Sequence, residues 1–118
     1  MYDALFVDEL VAFLSVRFAQ FDTAVAADVL LYFGDLRPVM AAASQALRPG
    51  GVFAFTLEKH DGSEPYVLNP TRRFAHSITH VRDTLKSAGM SELYAKTETL
   101  RTESNQDVSA WIVVARRT

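Results

Sequence analysis

The amino-acid sequence predicts an α/β fold, and three observations support that prediction. Two short apolar segments, 21–29 and 52–57, flank a helix-forming segment, so strand, helix and strand follow one another within about 37 residues. The run 24–27 has no solvent-facing alternate, which is typical of a parallel strand covered by helices, although a buried helix segment would look similar over so few residues. A final apolar run, 110–115, predicts a strand in the middle of the sheet. The βαβ unit should have a right-handed crossover.

The composition indicates one globular domain, 1–118, without a nucleic-acid-binding surface. A length of 118 residues suits a single domain, and 49% hydrophobic with 22% charged residues is an ordinary globular mixture. The formal net charge is −2, and the basic clusters are only the short pairs Arg72-Arg73 and Arg116-Arg117. Such pairs are typical of solvated surface, so we expect no nucleic-acid partner.

The chain contains no cysteine, which excludes disulfides, thiolate metal sites and a cysteine nucleophile. This composition fits a reducing compartment, and we expect a cytoplasmic protein. No apolar run approaches 18 residues, so no membrane span is predicted. The beginning, Met1-Tyr2-Asp3, lacks the basic lead and apolar core of a signal peptide.

Capping residues set the predicted boundaries of the first two helices. Segment 4–18 has one apolar stripe, with Asp3 as its N-cap. The members of that stripe are Val7, Leu10, Val11, Leu14 and Phe18. A second helix opens at Gly34-Asp35, carries Pro38 in its first turn, and is predicted to end at Pro49-Gly50-Gly51.

The second half of the chain predicts a long loop, a helix and a hairpin. Residues 58–75 are polar and rich in turn formers, and a loop of this length is usually functional or disordered. Ser77 can cap a third helix that stops at Gly89. Two strands, 91–102 and 108–116, then form a hairpin around a polar turn.

Three of these segments resemble the second half of a class I S-adenosylmethionine-dependent methyltransferase. Segment 21–32, FDTAVAADVLLY, resembles the fourth strand of that family and the cofactor-side turn after it. Segment 47–51, LRPGG, resembles the turn before the fifth strand, here followed by 52–55. The closing hairpin resembles the reversed seventh strand inserted between the fifth and sixth strands. The resemblance covers residues 2–117.

This resemblance implies a partial Rossmann-like sheet of four strands, ordered 4-5-7-6 in the strand numbering of the family. The last strand would be antiparallel, the last-but-one strand by sequence would lie at one edge, and helices would cover both faces. It also implies S-adenosylmethionine as the cofactor.

The glycine-rich turn that holds the cofactor in this family has no counterpart here. The family places glycines after its first strand, where the backbone approaches the ligand closely, and an acidic residue after the second. None of the five glycines of this chain lies in a glycine-x-glycine pattern that opens a helix. We therefore expect the C-terminal half of a methyltransferase fold with only a partial cofactor site.

The resemblance places the remaining cofactor contacts after the first strand. Asp28 is the leading candidate, because in the family this turn passes the methionine part of the cofactor, with Ala27 and Val29 as backbone or packing contacts. Asp28 could instead only cap the short turn toward Tyr32. Tyr32 and Phe33 would cover the cofactor or the substrate, or else belong to the core.

The predicted substrate residues are Glu58, His76 and His80. Glu58 ends the second strand and would position a substrate, or else be a solvated strand end. His76 and His80 are four residues apart at the start of a helix, the spacing of two ligands on one face. No further ligand matches them, and His60 lies in a separate loop, so no metal site is predicted. In the resembling family, residues entering this helix can face the substrate pocket, so the resemblance implies His76 as a base or substrate contact, although methyl transfer depends mostly on alignment.

The predicted function is methyl transfer from S-adenosylmethionine to a small-molecule nucleophile, as part of a complete methyltransferase and with weak or no activity alone. The alternative is a non-catalytic remnant that serves as an assembly module. We expect a homodimer or a complementing N-terminal half as partner, because 23–27 contains no charge or proline to protect an open strand edge. The alternative is that the helix 4–18 covers this edge within one chain.

Overall fold

The computed structural model describes residues 19–26, 30–70, 72–103 and 106–118. The predicted helix 4–18 and the turn residues Ala27, Asp28 and Val29 lie outside these ranges.

The predicted α/β fold is confirmed, and the described residues form two α-helices, one short 3₁₀ helix and six strands. In chain order these are β1 Phe21–Ala26, the 3₁₀ helix Leu30–Tyr32, α1 Arg37–Ala46, β2 Leu47–Lys59, β3 Tyr66–Leu68, β4 Phe74–His76, α2 Ile78–Ser87, β5 Met90–Glu103 and β6 Gln106–Arg117. No helix within these described ranges is long and apolar enough to cross a membrane.

Strand β2 is the centre of the sheet. One of its edges pairs in parallel with β1, where Ala24 lies beside Phe53, and further along with β4, where Ala75 lies beside Glu58. Its other edge pairs with β6 in antiparallel orientation, and β5 pairs with the far side of β6. The apolar run 110–115 on β6 therefore has a hydrogen-bonded strand on each side.

The prediction that the first described α-helix ends at Pro49 is wrong. Helix α1 ends at Ala46, and Leu47 is already extended, with φ −83° and ψ 145°. Pro49 and Gly50 belong to β2, where Gly50 has a left-handed φ of 83°. The β1–β2 register shifts between Phe21 and Thr23, so β2 accommodates the extra residues at its start as an irregular segment.

The predicted loop 58–75 contains two strands, so the expected number of four strands is wrong. Strands β3 and β4 form a short antiparallel hairpin, and β4 also joins the sheet beside Lys59. Each has only three residues, which is too few for an alternating pattern to stand out in the sequence. Pairing of β4 with the end of β2, and of β3 with β4, stabilises them.

The core lies between β2 and the helices. Phe53, Phe55 and Leu57 alternate along β2 and are almost fully buried together with residues of both α-helices. The helical members are Val39, Met40 and Ala43 of α1 and Val81 and Leu85 of α2. Truncating a buried phenylalanine such as Phe55 typically costs about 3–5 kcal/mol.

The predicted boundaries of α2 are confirmed. The hydroxyl of Ser77 accepts a hydrogen bond from the His80 backbone amide at 3.2 Å, as an N-cap does. Gly89 follows the helix with φ 76°, a conformation that favours glycine.

Gly34 packs against the aromatic rings of the β3–β4 hairpin. A Cβ atom added there would lie 2.9 Å from Cε2 of Tyr66 and 3.0 Å from Cε1 of Phe74. These rings meet edge to face, with centroids 5.9 Å apart. Close approach, rather than a special φ, therefore requires glycine at this position.

We predict that Gly34→Ala lowers the free energy of unfolding by about 1–3 kcal/mol, because the added methyl group overpacks a ring contact. In a Tyr66→Ala background the same change should cost less, since the nearest atom is gone. Denaturant titration of the four proteins in this cycle measures the difference. Equal costs in both backgrounds would contradict the packing explanation.

Candidate functional site

Three parallel strands end at one edge of the sheet. β1 ends at Ala26, β2 at Lys59 and β4 at His76, and both β1 and β4 run parallel to β2. Ligands of open α/β sheets bind at this carboxyl edge, because the loops that follow the strands converge there. The candidate residues from the sequence lie at these strand ends or within a few residues after them.

The predicted cofactor turn is bracketed by buried residues. Ala27, Asp28 and Val29 themselves lie outside the described residues, whereas Ala26 before them and Leu30 after them are buried. Tyr32 is half-buried and interacts with other groups of the protein.

Phe33 belongs to the core. Its side chain is only 4% exposed, and it is a member of the main hydrophobic cluster. Of the two interpretations of Phe33 in the sequence, packing is therefore the one that the structure supports.

Glu58 is a buried carboxyl group at the end of the central strand. It is 5% exposed and lies between Ala75 of β4 and Ala110 of β6. The interpretation of Glu58 as a solvated strand end is wrong. A buried carboxylate needs polar partners, and Glu58 does interact with other groups of the protein.

The two strongest substrate candidates, Glu58 and His76, project from opposite faces of the sheet. Glu58 is in register with Ala75, and its neighbour Lys59 is in register with His76. Partners in a parallel pair share a face, and successive residues alternate. Because the sheet lies between them, the two side chains do not contact the same ligand atom.

His76 is completely buried, and its ring binds backbone carbonyl groups. Nε2 lies 2.7 Å from the carbonyl oxygen of Phe33 and 3.0 Å from that of Gly34. Nδ1 is buried without a hydrogen-bond partner among the described residues. Burial lowers the pKa of His76 to about 4, which the two carbonyl acceptors oppose only in part.

His80 also binds the backbone, but as an acceptor. The amide of Leu36 donates a hydrogen bond to Nε2 of His80 at 3.2 Å. Partial burial lowers the pKa of His80 below its ordinary value, while the charge of Asp35 opposes that shift. As base or substrate contacts His76 and His80 stay predictions, and their geometry gives more support to a role in holding the backbone.

The two histidine rings stack with centroids 6.2 Å apart and planes at 12°. Both Nε2 atoms face backbone groups rather than a shared point. Within the described part of the chain, no cluster of three or more histidine and acidic side chains could hold a metal ion.

An open cavity of about 290 Å³ lies beside His80. Asp35 and Arg37 line it from the start of α1, Tyr66 from β3 and Asp83 from α2. The guanidinium of Arg37 binds Asp35 at 2.6 Å and lowers the pKa of that carboxyl group. The local sequence pattern gives no sign of this grouping, because nothing in it places residue 66 beside residues 35 and 80.

Solved structures of S-adenosylmethionine-dependent methyltransferases share this fold. A methyltransferase from Methanosarcina mazei is 14% identical, with a TM-score of 0.66 over 86% of this chain and 61% of its own. The 1,6-didemethyltoxoflavin-N1-methyltransferase of Burkholderia thailandensis, solved with its namesake compound and S-adenosylhomocysteine bound, is 19% identical. Its TM-score is 0.64 over 85% of this chain and 45% of its own.

The cyclase SpnF has the same fold, with a TM-score of 0.71, 18% identity, and coverage of 86% of this chain and 52% of its own. Neither a protein-family model nor a curated protein sequence matches the chain. The chain thus spans about half to three-fifths of the length of these neighbours. Its fold is similar to that of class I S-adenosylmethionine-dependent methyltransferases.

We predict that His76 makes the protein less stable in acid. The folded state lowers its pKa from 6.5 to about 4, so the unfolded state binds the proton more readily. The free energy of unfolding therefore keeps its full value above about pH 6.5. It decreases as the pH falls toward 4, because protons then favour the unfolded chain. Over that window wild type should lose about 3 kcal/mol more free energy of unfolding than His76→Gln.

Urea titrations between about pH 8 and pH 4 measure this difference. His60→Gln is the matched control, because His60 is only partly buried and pairs with the exposed side chain of Glu64. Parallel pH dependences for wild type and His76→Gln would contradict the prediction.

Proposed function

We propose that this chain forms the second half of a methyltransferase domain that transfers a methyl group from S-adenosylmethionine to a small-molecule nucleophile. The observation that carries the proposal is the correspondence of the fold to methyltransferases over most of the chain. The Burkholderia thailandensis neighbour was solved with its small-molecule compound, which supports a substrate of that size class. We expect the 118 residues alone to have weak or no methyltransferase activity. We also expect the protein to be cytoplasmic.

The resemblance assigns the cofactor contacts to the turn after β1. Asp28 would face the ammonium group of the cofactor, Ala27 and Val29 would contribute backbone or packing contacts, and Tyr32 would cover it. The half-buried position of Tyr32 directly after this turn is compatible with that role. When bound, S-adenosylmethionine supplies the methyl group as a sulfonium electrophile.

Glu58 is the best-supported substrate contact. It ends the strand next to β1, is shielded from water, and projects from the face opposite His76. A carboxylate in such an environment interacts more strongly with a polar or cationic acceptor group than an exposed one would. Its expected contribution is to orient the nucleophile, because methyl transfer depends mostly on alignment.

The glycines of the chain support only a partial cofactor site. Gly34 packs on Tyr66, and an added Cβ at Gly51 would lie 2.8 Å from the backbone oxygen of Arg48. Gly50, in the irregular start of β2, and Gly89, after α2, adopt positive φ values. Packing or backbone conformation therefore accounts for these four glycines, and none of them is needed to explain a cofactor contact.

We predict weak binding of S-adenosylmethionine to the 118-residue chain, weaker than the low-micromolar range. Low-micromolar affinity corresponds to about −8 kcal/mol, which needs a nearly complete site. Calorimetric titration decides this, and a dissociation constant of a few micromolar would contradict it. Asp28→Asn should weaken the measured affinity further, whereas Asp61→Asn, a change at an exposed loop carboxylate, should not.

A second candidate function is a non-catalytic assembly module, and the open edge of β1 favours it. Among the described residues β1 pairs only with β2. Val25 on β1 is 72% exposed, more than any other large hydrophobic side chain among the described residues. Residues 23–26 contain no charged side chain, and the preceding Asp22 pairs with Arg48 at 3.0 Å. Such an edge is suited to pairing with another strand, from a second copy or a complementing half.

We predict that the chain self-associates through β1 and that Val25→Lys shifts it toward the monomer, because a charge opposes edge pairing. Leu68→Lys is the matched control, since Leu68 is 58% exposed on the different strand β3. Sedimentation equilibrium over a wide concentration range measures both. A monomeric wild type at high micromolar concentration would rule the association out.

A further inference from the structure

We propose that His76 and His80 are a pair of positioning residues that fix segment 33–36, the connection from the carboxyl end of β1 to α1. They do so through opposite hydrogen-bonding roles of the same ring atom. This inference deepens the proposed function and rests on it for its consequence at the cofactor turn.

His76 holds the first part of the segment as a donor. Its Nε2 faces two carbonyl oxygens, those of Phe33 and Gly34, and a carbonyl oxygen can only accept. The proton of the neutral ring must therefore be on Nε2. The ring is 0% exposed, so water cannot replace either bond.

His80 holds the last part of the segment as an acceptor. The Leu36 amide is a donor, so Nε2 of His80 must offer its lone pair, and the proton of the neutral ring lies on Nδ1. Leu36 is the N-cap residue of α1 and has no side-chain oxygen, while Oδ1 of Asp35 accepts a hydrogen bond from the next amide, that of Arg37, at 2.9 Å. The imidazole thus satisfies a free amide at the beginning of α1, where such groups lack partners.

Both histidines are themselves anchored to the sheet. His76 pairs with Lys59 at the end of β2, and its backbone oxygen accepts a hydrogen bond from His60 at 2.9 Å. Ser77 binds the amide of His80. Segment 33–36 is consequently held by His76 against the end of the central strand and by His80 against the first turn of α2.

The segment matters because of its place in the chain. It directly follows the 3₁₀ helix Leu30–Tyr32, which in turn follows the predicted cofactor turn. Losing either histidine contact would let Tyr32 shift relative to Glu58.

Protonation of His80 should break its half of the arrangement. A proton on Nε2 removes the lone pair that Leu36 needs. Burial and the charge of Arg37 favour the neutral ring, while Asp35 and Asp83 favour the charged one. The rings of Tyr66, at 5.4 Å, and His76, at 6.2 Å, pack against it from β3 and β4.

The first test is the tautomeric state of each ring in the cofactor-free, 118-residue chain. Long-range ¹H–¹⁵N NMR spectra should show the Nε2–H form for His76 and the Nδ1–H form for His80 near neutral pH. The same tautomer at both positions, or free titration of His76 near its ordinary pKa, would overturn the proposal.

The second test uses glutamine, whose terminal amide can donate at one position and accept at the other. His80→Ala should speed hydrogen exchange of the Leu36 amide about tenfold, since one hydrogen bond is worth roughly a factor of that order. His80→Gln should stay within about twofold of wild type, because its carbonyl oxygen replaces Nε2. His60→Ala should leave this amide unchanged.

His76→Gln and His76→Leu provide the parallel comparison at the donor. Glutamine should preserve the chemical shifts of segment 33–36 and leucine should move them.

The Leu36 amide should also lose protection from hydrogen exchange, after correction for intrinsic rates, as His80 protonates in acid. Identical behaviour of His80→Ala and His80→Gln, or no pH dependence of protection, would overturn the proposal.

Addition of S-adenosylmethionine separates this inference from the proposed function. If the cofactor binds, His80→Ala should weaken its effect on the Tyr32 amide while His80→Gln preserves it, and equal effects would count against positioning. If millimolar cofactor shifts no resonance, the partial cofactor site proposed for this chain fails, whereas the tautomers and exchange rates still decide the role of the histidines.

Discussion

Strand β2 is the constraint on which the arrangement of the candidate site depends. It pairs with β1 and β4 along one edge and with β6 along the other. The register of these pairs determines where the ends of β1 and β4 lie relative to the end of β2. Its alternating aromatic and aliphatic residues, centred on Phe55, face the helices. The opposite alternation brings Glu58 to the other face. One strand thus determines the packing of the core and the separation of Glu58 from His76.

The polar interior depends on how the two histidines are used. Two histidines four residues apart at the start of a helix suggest a metal or a catalytic pair, yet each ring binds the backbone of segment 33–36. Leaving Nδ1 of His76 unpaired is expected to cost about 1–3 kcal/mol. Such a cost is tolerated where the contacts of the same ring specify a conformation, here the path from β1 to α1.

The fold alone does not select a reaction. Methyltransferases and a cyclase share this architecture with the chain at less than one-fifth sequence identity. Function on such scaffolds depends on the side chains at the carboxyl edge of the sheet. Glu58 is a buried carboxyl side chain at that edge, so a test of a substrate site would begin with this residue.

Local sequence determined the elements whose signals are long or chemically specific. The βαβ order, the Ser77 cap and the Gly89 stop were predictable because apolar runs and capping groups act within a few residues. Asp28 as a cofactor contact came from family resemblance and remains a prediction.

Tertiary structure alone decided the early end of α1 at Ala46, because pairing with β1 extends Leu47 into a strand. It also created β3 and β4, whose three-residue lengths carry no periodic signal and which depend on each other and on β2 for hydrogen bonds. The roles of the histidines were equally invisible in the sequence, since the carbonyl and amide groups that they bind lie more than 40 positions away along the chain.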